Sequence, residues 1–263
     1  MTFRDLHRGP RPLVLPNAWD VPSALAFADA GFEAIGTTSF GVASALGRPD
    51  GGRATKDANL ALARALSGLP AYLSMDVEDG YSDDPAEVAE YVARLEAAGA
   101  NLAGVNLEDS TAERLVAPQA HAAKVAAVKD RCPDLFVNAR VDTYWLGTEA
   151  EIPATLERAA AYVRAGADGV FVPGATDPEV LRELAAGIPV PLNVLVVPDL
   201  TLDDLAGLGV RRVSTGSLPY RAAVHAATTV AAAVRDGRTD LPGATPYKEL
   251  QARLVGYERT GGR

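Results

Sequence analysis

The stretch YLSMDVEDGYSDDP (residues 72–85) sets five carboxylates, Asp76, Glu78, Asp79, Asp83 and Asp84, at the end of an apolar run. Further on, AGVNLED (103–109) ends in Asn106, Glu108 and Asp109, and LFVNARVD (135–142) ends in Asn138, Arg140 and Asp142. Desolvated carboxylates that crowd together repel, and their pKa values rise unless positive charge sits among them. A hard divalent cation relieves that repulsion, and Mg²⁺ takes a few carboxylates while keeping waters or substrate oxygens as its other ligands. Asp76, Glu78 and Glu108 are therefore the candidate metal ligands. Arg140, on the neighbouring run, can grip an anionic substrate with two parallel hydrogen bonds. The competing structural reading pairs Arg140 with Glu108 as an ion pair and nothing more. Asp83 and Asp84 precede Pro85 and read as helix-capping groups.

The elements that must position these groups are legible as repeats of one unit. Apolar, β-rich runs occur at 13–19, 34–39, 71–76, 103–109, 135–142, 169–174, 191–196 and 211–217. They are continuous rather than alternating, as expected of parallel strands covered on both faces. Amphipathic segments at 85–99, 152–166 and 177–187 lie between them, each opened near a Pro and closed by a Gly. The fragments ADAGFEAIG, EAAGANLAGV, VRAGADGVFV and LAGLGVRRVSTG repeat one theme of helix end, glycine and next strand. Eight such units predict a (β/α)₈ barrel over residues 1–237, with chemistry at the carboxyl ends of the strands. A doubly wound open sheet is the runner-up, and the Gly-rich first turn it would carry is absent. A long helix at 219–237 and a helical tail at 238–263 follow, the tail expected to pack on the barrel or to be exchanged with a neighbouring subunit.

Composition narrows the partners. The chain has 263 residues, 48% of them hydrophobic, enough for a sizeable single core. A net charge of −9 argues against nucleic acid or an anionic membrane surface as partner. With Cys132 as the one cysteine there is neither a disulfide framework nor a thiolate metal cluster. No apolar run reaches the roughly 18 residues of a membrane span, and the first residues lack a signal-peptide core, so the expected location is the cytoplasm.

Taken together, these motifs resemble the isocitrate lyase/phosphoenolpyruvate mutase superfamily over nearly the whole chain. The family's D-x-D-x-G-Y metal stretch is matched by Asp76-Val77-Glu78-Asp79-Gly80-Tyr81, with Glu in place of the second Asp. Its strand glutamate corresponds to Glu108, its N-A-R-x-D arginine to Arg140, and its loop aspartate to Asp50. The resemblance implies a Mg²⁺-dependent barrel, with Mn²⁺ as the alternative ion, that binds a small anionic 2-oxo acid or its enolate. It also implies catalytic roles for Arg140, Asp50 and Glu108, and substrate binding by Thr38, Ser39, Phe40 and Arg140, partly through the backbone amides of 38–40. Asn193, in the seventh run, completes the expected substrate contacts. Members are usually homo-oligomers, dimers or tetramers, that exchange a C-terminal helix.

The loop after Glu108 departs from the pattern. Family lyases carry a Lys-[KR]-Cys-Gly-His motif there, whereas this chain has Ser110-Thr111-Ala112-Glu113-Arg114-Leu115-Val116-Ala117. Cys132 lies some twenty residues further on and reads as structural, and His7, His121 and His225 read as packing or surface residues. Isocitrate-type cleavage, which needs an acid/base at the small product, is not expected. Decarboxylation of an oxaloacetate-type acid needs none. A retro-aldol cleavage would need a base, for which Asp50, Glu113 and Tyr81 are weak candidates. The leading expectation is a lyase acting on a small 2-oxo (di)carboxylate. The alternatives are P–C bond chemistry, as a mutase or hydrolase of phosphoenolpyruvate or phosphonopyruvate, and a 2-oxo acid-binding protein without catalysis.

Overall fold

The computed structural model describes residues 1–259. Residues 260–263 of the expected tail lie outside the described residues. The strands are β1 (Leu13–Leu15), β2 (Asn17–Ala18), β3 (Ala34–Thr37), β4 (Tyr72–Asp76), β5 (Leu102–Glu108), β6 (Ser110–Thr111), β7 (Arg114–Leu115), β8 (Phe136–Arg140), β9 (Gly169–Phe171), β10 (Leu192–Leu195) and β11 (Arg212–Ser214). Nine of them form one sheet in the order β1-β11-β10-β9-β8-β5-β4-β3-β2, every pairing parallel. Its two end members are halves of a single strand. Pro16, with no N–H to give, separates β1 from β2, but its carbonyl still accepts from Gly36 N (2.8 Å). Because β1 pairs with β11 and β2 with β3, the sheet closes on itself. The result is the eight-stave (β/α)₈ barrel, with helices outside.

Several helices begin where a side-chain cap satisfies an open amide. Asp84 accepts from Ala86 N (2.9 Å) ahead of the helix Pro85–Glu96, and Asp177 does the same for Pro178–Gly187. The repeated glycines Gly31, Gly99, Gly166 and Gly209 all have φ between 83° and 102°. That left-handed conformation stops a helix and turns the chain into the next strand, and a Cβ there would be strained. The apolar interior is nearly continuous around the barrel. The amino-terminal end is plugged by the short helix Phe3–Leu6, whose Phe3 packs with Leu15, Ala34 and Phe136. His7 stacks on the Phe136 ring at 4.5 Å between centroids and belongs to that plug.

The helix Leu218–Arg235 runs away from the barrel with most of its length exposed, Leu218, Val224 and Val234 included. The tail's helix, Tyr247–Arg259, contacts the barrel of its own chain. Tyr257 donates to Ala65 O (2.7 Å) and Arg253 pairs with Asp29 (2.8 Å). Among the described residues, no helix is long and apolar enough to cross a membrane.

Candidate active site

The strand ends Thr37, Asp76, Arg140, Phe171 and Ser214 line a cavity of about 90 Å³ inside the carboxyl-terminal mouth of the barrel. A second cavity of about 280 Å³ lies against it, bounded by Glu78, Glu108, Glu113 and Leu146. Phe40, Asp50, Arg140 and Trp145 line both, so the two form one site with an inner and an outer chamber.

The chain reverses sharply to bring the acids there. Glu78, Gly80 and Tyr81 all have positive φ, and a Cβ at Gly80 would lie 2.5 Å from a methyl of Val88, so only glycine fits. The five acids of this turn separate into distinct tasks. Asp76 stays at the inner chamber and accepts from Ser39 N at 3.1 Å. Glu78 accepts from Arg53 N (3.0 Å) and from the Thr55 hydroxyl. Asp79 takes Arg53, the Thr111 hydroxyl (2.7 Å) and its own turn amide at Tyr81 (2.9 Å), with Lys124 at 3.7 Å. Asp83 pairs with Arg53 at the surface, and Asp84 is the helix cap described above.

Arg140 crosses the floor of both chambers. Its Nη1 forms an ion pair with Glu108 (2.8 Å) and its Nε donates to Asp142 (2.6 Å), while Trp145 and Phe171 flank the guanidinium at 5.6 and 5.9 Å. The ion pair with Glu108 is therefore present, but it uses only part of a five-donor group, and Nη2 keeps no partner among the described residues. The loop after Glu108 is a two-stranded hairpin, β6 against β7. Ser110 bonds Asp142 (2.5 Å) and Thr111 bonds Asp79, which fastens the hairpin at its base.

The electrostatics follow from burial. Burial raises the carboxyls of Asp76 and Glu78, against the Arg140 charge in the first case and the Thr55 hydroxyl in the second. Glu108 is raised furthest, because burial and the nearby Asp142 and Asp76 outweigh Arg140. Burial also opposes the charge on Asp79, yet the hydrogen bonds from Arg53 and Thr111 hold that carboxyl below its ordinary value. Burial works against Arg140 as well, and its acidic neighbours keep it firmly protonated.

The expected metal ligands do not form a cage. Among the described residues no three of His, Cys, Asp and Glu converge as direct ligands, because Glu78 is committed to Thr55 and Glu108 to Arg140. The set still fits Mg²⁺, which prefers one or two carboxylates and retains waters. Burial is the main cause that raises the carboxyls of Asp76, Glu78 and Glu108, and a cation among them would favour their charged forms.

The other expected residues divide. Thr38, Ser39, Phe40 and Asp50 line the inner chamber. The amides of Thr38 and Ser39 are already taken, by Ala18 O (3.1 Å) and Asp76, so of the three expected amide donors only Phe40 N remains. Asn193 is not on a cavity wall; it is closed in a mutual hydrogen-bonded pair with Ser214 (3.1 and 3.2 Å) inside the barrel. Tyr81 is buried, with its hydroxyl on Thr55 and Asn59 (both 3.1 Å), and it serves the turn rather than the chamber. Cys132 is buried and its thiol is pushed up to about 11 by burial, as suits a packing residue. Arg53, Thr55, Asn59 and Lys124, which hold the acidic turn in place, carried no signal in the sequence.

Comparison with known proteins bears on the family and the fold. The family model described as phosphoenolpyruvate phosphomutase matches residues 3–235. An uncharacterised protein of Mycobacterium tuberculosis is 59% identical over 98% of both chains. The oxaloacetate decarboxylase of Pseudomonas fluorescens is 34% identical over 86% of this chain and 81% of its own. A crystal structure of phosphonopyruvate hydrolase in complex with oxalate and Mg²⁺ superposes with a TM-score of 0.83 and 28% identity, covering 98% of this chain and 99% of that one.

Proposed function

The chain belongs to the isocitrate lyase/phosphoenolpyruvate mutase superfamily, and from that premise we propose that it is a Mg²⁺-dependent lyase for a small 2-oxo dicarboxylate, acting as an oxaloacetate-type decarboxylase. The observation that carries this reading is Arg140, with open donors beside Asp76, over a hairpin that offers no thiol or imidazole. Asp76, Glu78 and Glu108 are the residues that would hold Mg²⁺, which would supply Lewis-acid polarisation of the 2-oxo group.

The chain's own residues account for the remainder. Arg140 grips the carboxylate beside the oxo group and offsets the negative charge that grows as the C3–C4 bond breaks. CO₂ departs without its electron pair, which stays behind as the enolate, and a proton from water completes pyruvate. No protein base is required, which suits a chamber whose lining holds no histidine or cysteine. Phe171, Trp145, Pro173 and Leu195 supply apolar walls that limit water around the inner chamber. Asp50, exposed on its loop and reaching both chambers, is placed to orient the substrate.

Pyruvate release from oxaloacetate, followed by a coupled dehydrogenase, tests the reading: it is expected with Mg²⁺ or Mn²⁺ and lost with EDTA or in Asp76→Ala. Metal-independent turnover would refute it. The likeness to phosphonopyruvate hydrolase supports P–C chemistry as the second reading, and phosphorus NMR with phosphonopyruvate decides it by the appearance of inorganic phosphate. We further assign the exposed apolar residues of Leu218–Arg235 to a contact with a second copy of the chain.

A further inference from the structure

Below the inner chamber lies a guanidinium with almost no access to water. Arg212, on β11, is 1% exposed, and its side chain crosses the barrel interior. Its Nη2 donates to Asn106 Oδ1 at 3.1 Å and to Ser74 Oγ at 3.4 Å, while Nε and Nη1 have no partner among the described residues. Asn138 Nδ2, from β8, donates to the same Asn106 oxygen at 2.9 Å.

A guanidinium is purely a donor. Only an oxygen can face it, so the Asn106 amide has one orientation: Oδ1 toward Arg212 and Asn138, NH₂ away from them. A flipped amide would set donor against donor in a low-dielectric interior. The Asn106 NH₂ has no partner among the described residues, and Asn106 lines the inner chamber together with Asp76 and Arg140. Asn106 itself is only 4% exposed. The amide nitrogen therefore opens on the chamber with no protein acceptor, where an arriving ligand oxygen can take its hydrogen bond in place of water.

We propose that Asn106 is a substrate-binding residue whose amide NH₂ is donated to an oxygen of the bound carboxylate, and that Arg212 is a positioning residue acting through it. The assignment rests on the reading of this site as one for a small 2-oxo acid anion. Arg212 and Asn106 lie on strands 106 residues apart in sequence, so the orientation is a product of barrel closure rather than of any local motif.

The test is calorimetric binding of oxalate, a planar dicarboxylate, in the presence of Mg²⁺, with thermal unfolding recorded alongside. Asn106→Ala is expected to weaken oxalate at least tenfold, and Asn106→Asp, which keeps an acceptor for Arg212 but removes the donor, at least as much while unfolding no earlier than wild type. Arg212→Met is expected to weaken oxalate several-fold when Asn106 is present and not at all in the Asn106→Ala background. Oxalate affinity within twofold of wild type in Asn106→Ala overturns the first part. An Arg212→Met effect that persists undiminished in Asn106→Ala overturns the second, and Arg212→Lys replaces Arg212→Met if the latter does not fold. Oxalate binding without turnover of any 2-oxo acid would remove the lyase reading and leave this one standing; a wild-type protein that binds no oxalate removes both.

Discussion

Replacing Arg140 by Lys isolates what the guanidinium contributes beyond its charge. Arg140 spans Glu108 at 2.8 Å and Asp142 at 2.6 Å, about opposite edges of the fork, and still has donors left for a ligand. A lysine ammonium has three donors on a point charge and cannot satisfy both acids and a carboxylate together. It keeps the cation among the acids, so the collapse expected on removing one partner of a buried pair is avoided. The loss falls on the ligand: two hydrogen bonds to a charged group, about 1.5–3 kcal/mol each. The sum, about 3–6 kcal/mol, corresponds to a fall in kcat/KM of roughly 10²- to 10⁴-fold. The assay is pyruvate formation from oxaloacetate at saturating Mg²⁺, with the melting temperature recorded to show that the barrel survives. A variant with a wild-type melting temperature and kcat/KM within fivefold of wild type would mean that Arg140 is a structural ion-pair partner and not the substrate clamp.

Mg²⁺ is expected to raise the melting temperature of the wild type by mass action and to leave Asp76→Asn unchanged, since the amide removes the buried carboxylate that would ligate it. An equal shift in both proteins would place the ion elsewhere. Acid should weaken the fold through His7 and His121, which burial holds neutral with pKa values near 3. The unfolded chain takes up those protons below about pH 6.5, so stability is full above that pH and falls as pH drops toward 3, by about 2–3 kcal/mol per histidine at pH 4.5. Urea titrations at pH 7 and 4.5 check this, and His121→Leu should flatten the dependence. Gly80→Ala must fit a Cβ 2.5 Å from Val88 at a φ of 88°, and is expected to lower the urea midpoint sharply, with partial recovery in the double variant with Val88→Ala.

The barrel was largely legible in the sequence because its causes are local. Eight continuous apolar runs, prolines at helix starts and glycines at helix ends each report on a few consecutive residues, and all eight runs became staves. The break at Pro16 was invisible, since the carbonyl that carries the strand across it is bonded to Gly36, twenty residues on. The acids and Arg140 were legible as residue types, and Asp76, Glu78, Glu108 and Arg140 all meet the paired chambers. Which acid does what was not, because partners decide it. Arg53 claims Asp79 and Asp83, Thr55 claims Glu78, and neither pairing has a sequence signature. Asn193 looked like a ligand contact from its place in the seventh run, and Ser214, one strand over, closes it off. Arg212 held the one overlooked clue: a charged residue in a run that must be covered on both faces needs an interior partner, and the structure supplies Asn106.

The acidic turn can now be understood as two layers with different duties. Asp79 serves the fold, since it binds Arg53, Thr111 and the Tyr81 amide and thereby ties three segments, the 51–53 turn, the hairpin and the strand end, to one carboxylate. Arg53 passes that restraint on, because its backbone N–H holds Glu78 while its side chain holds Asp79. The Asp76 carboxylate is met by the amide (3.1 Å) and side chain of Ser39 and by the amide of Glu78 (3.4 Å), none of them a cation. Asp79, by contrast, has a cationic partner at hydrogen-bond distance. Asp76 instead sits beside an inner chamber, raised by burial, with the nearest guanidinium shared between two other acids. The fold spends its cations on Asp79, Glu108 and Asp142 and leaves Asp76 to be neutralised from outside, which is what a site for a divalent ion and a carboxylate anion requires.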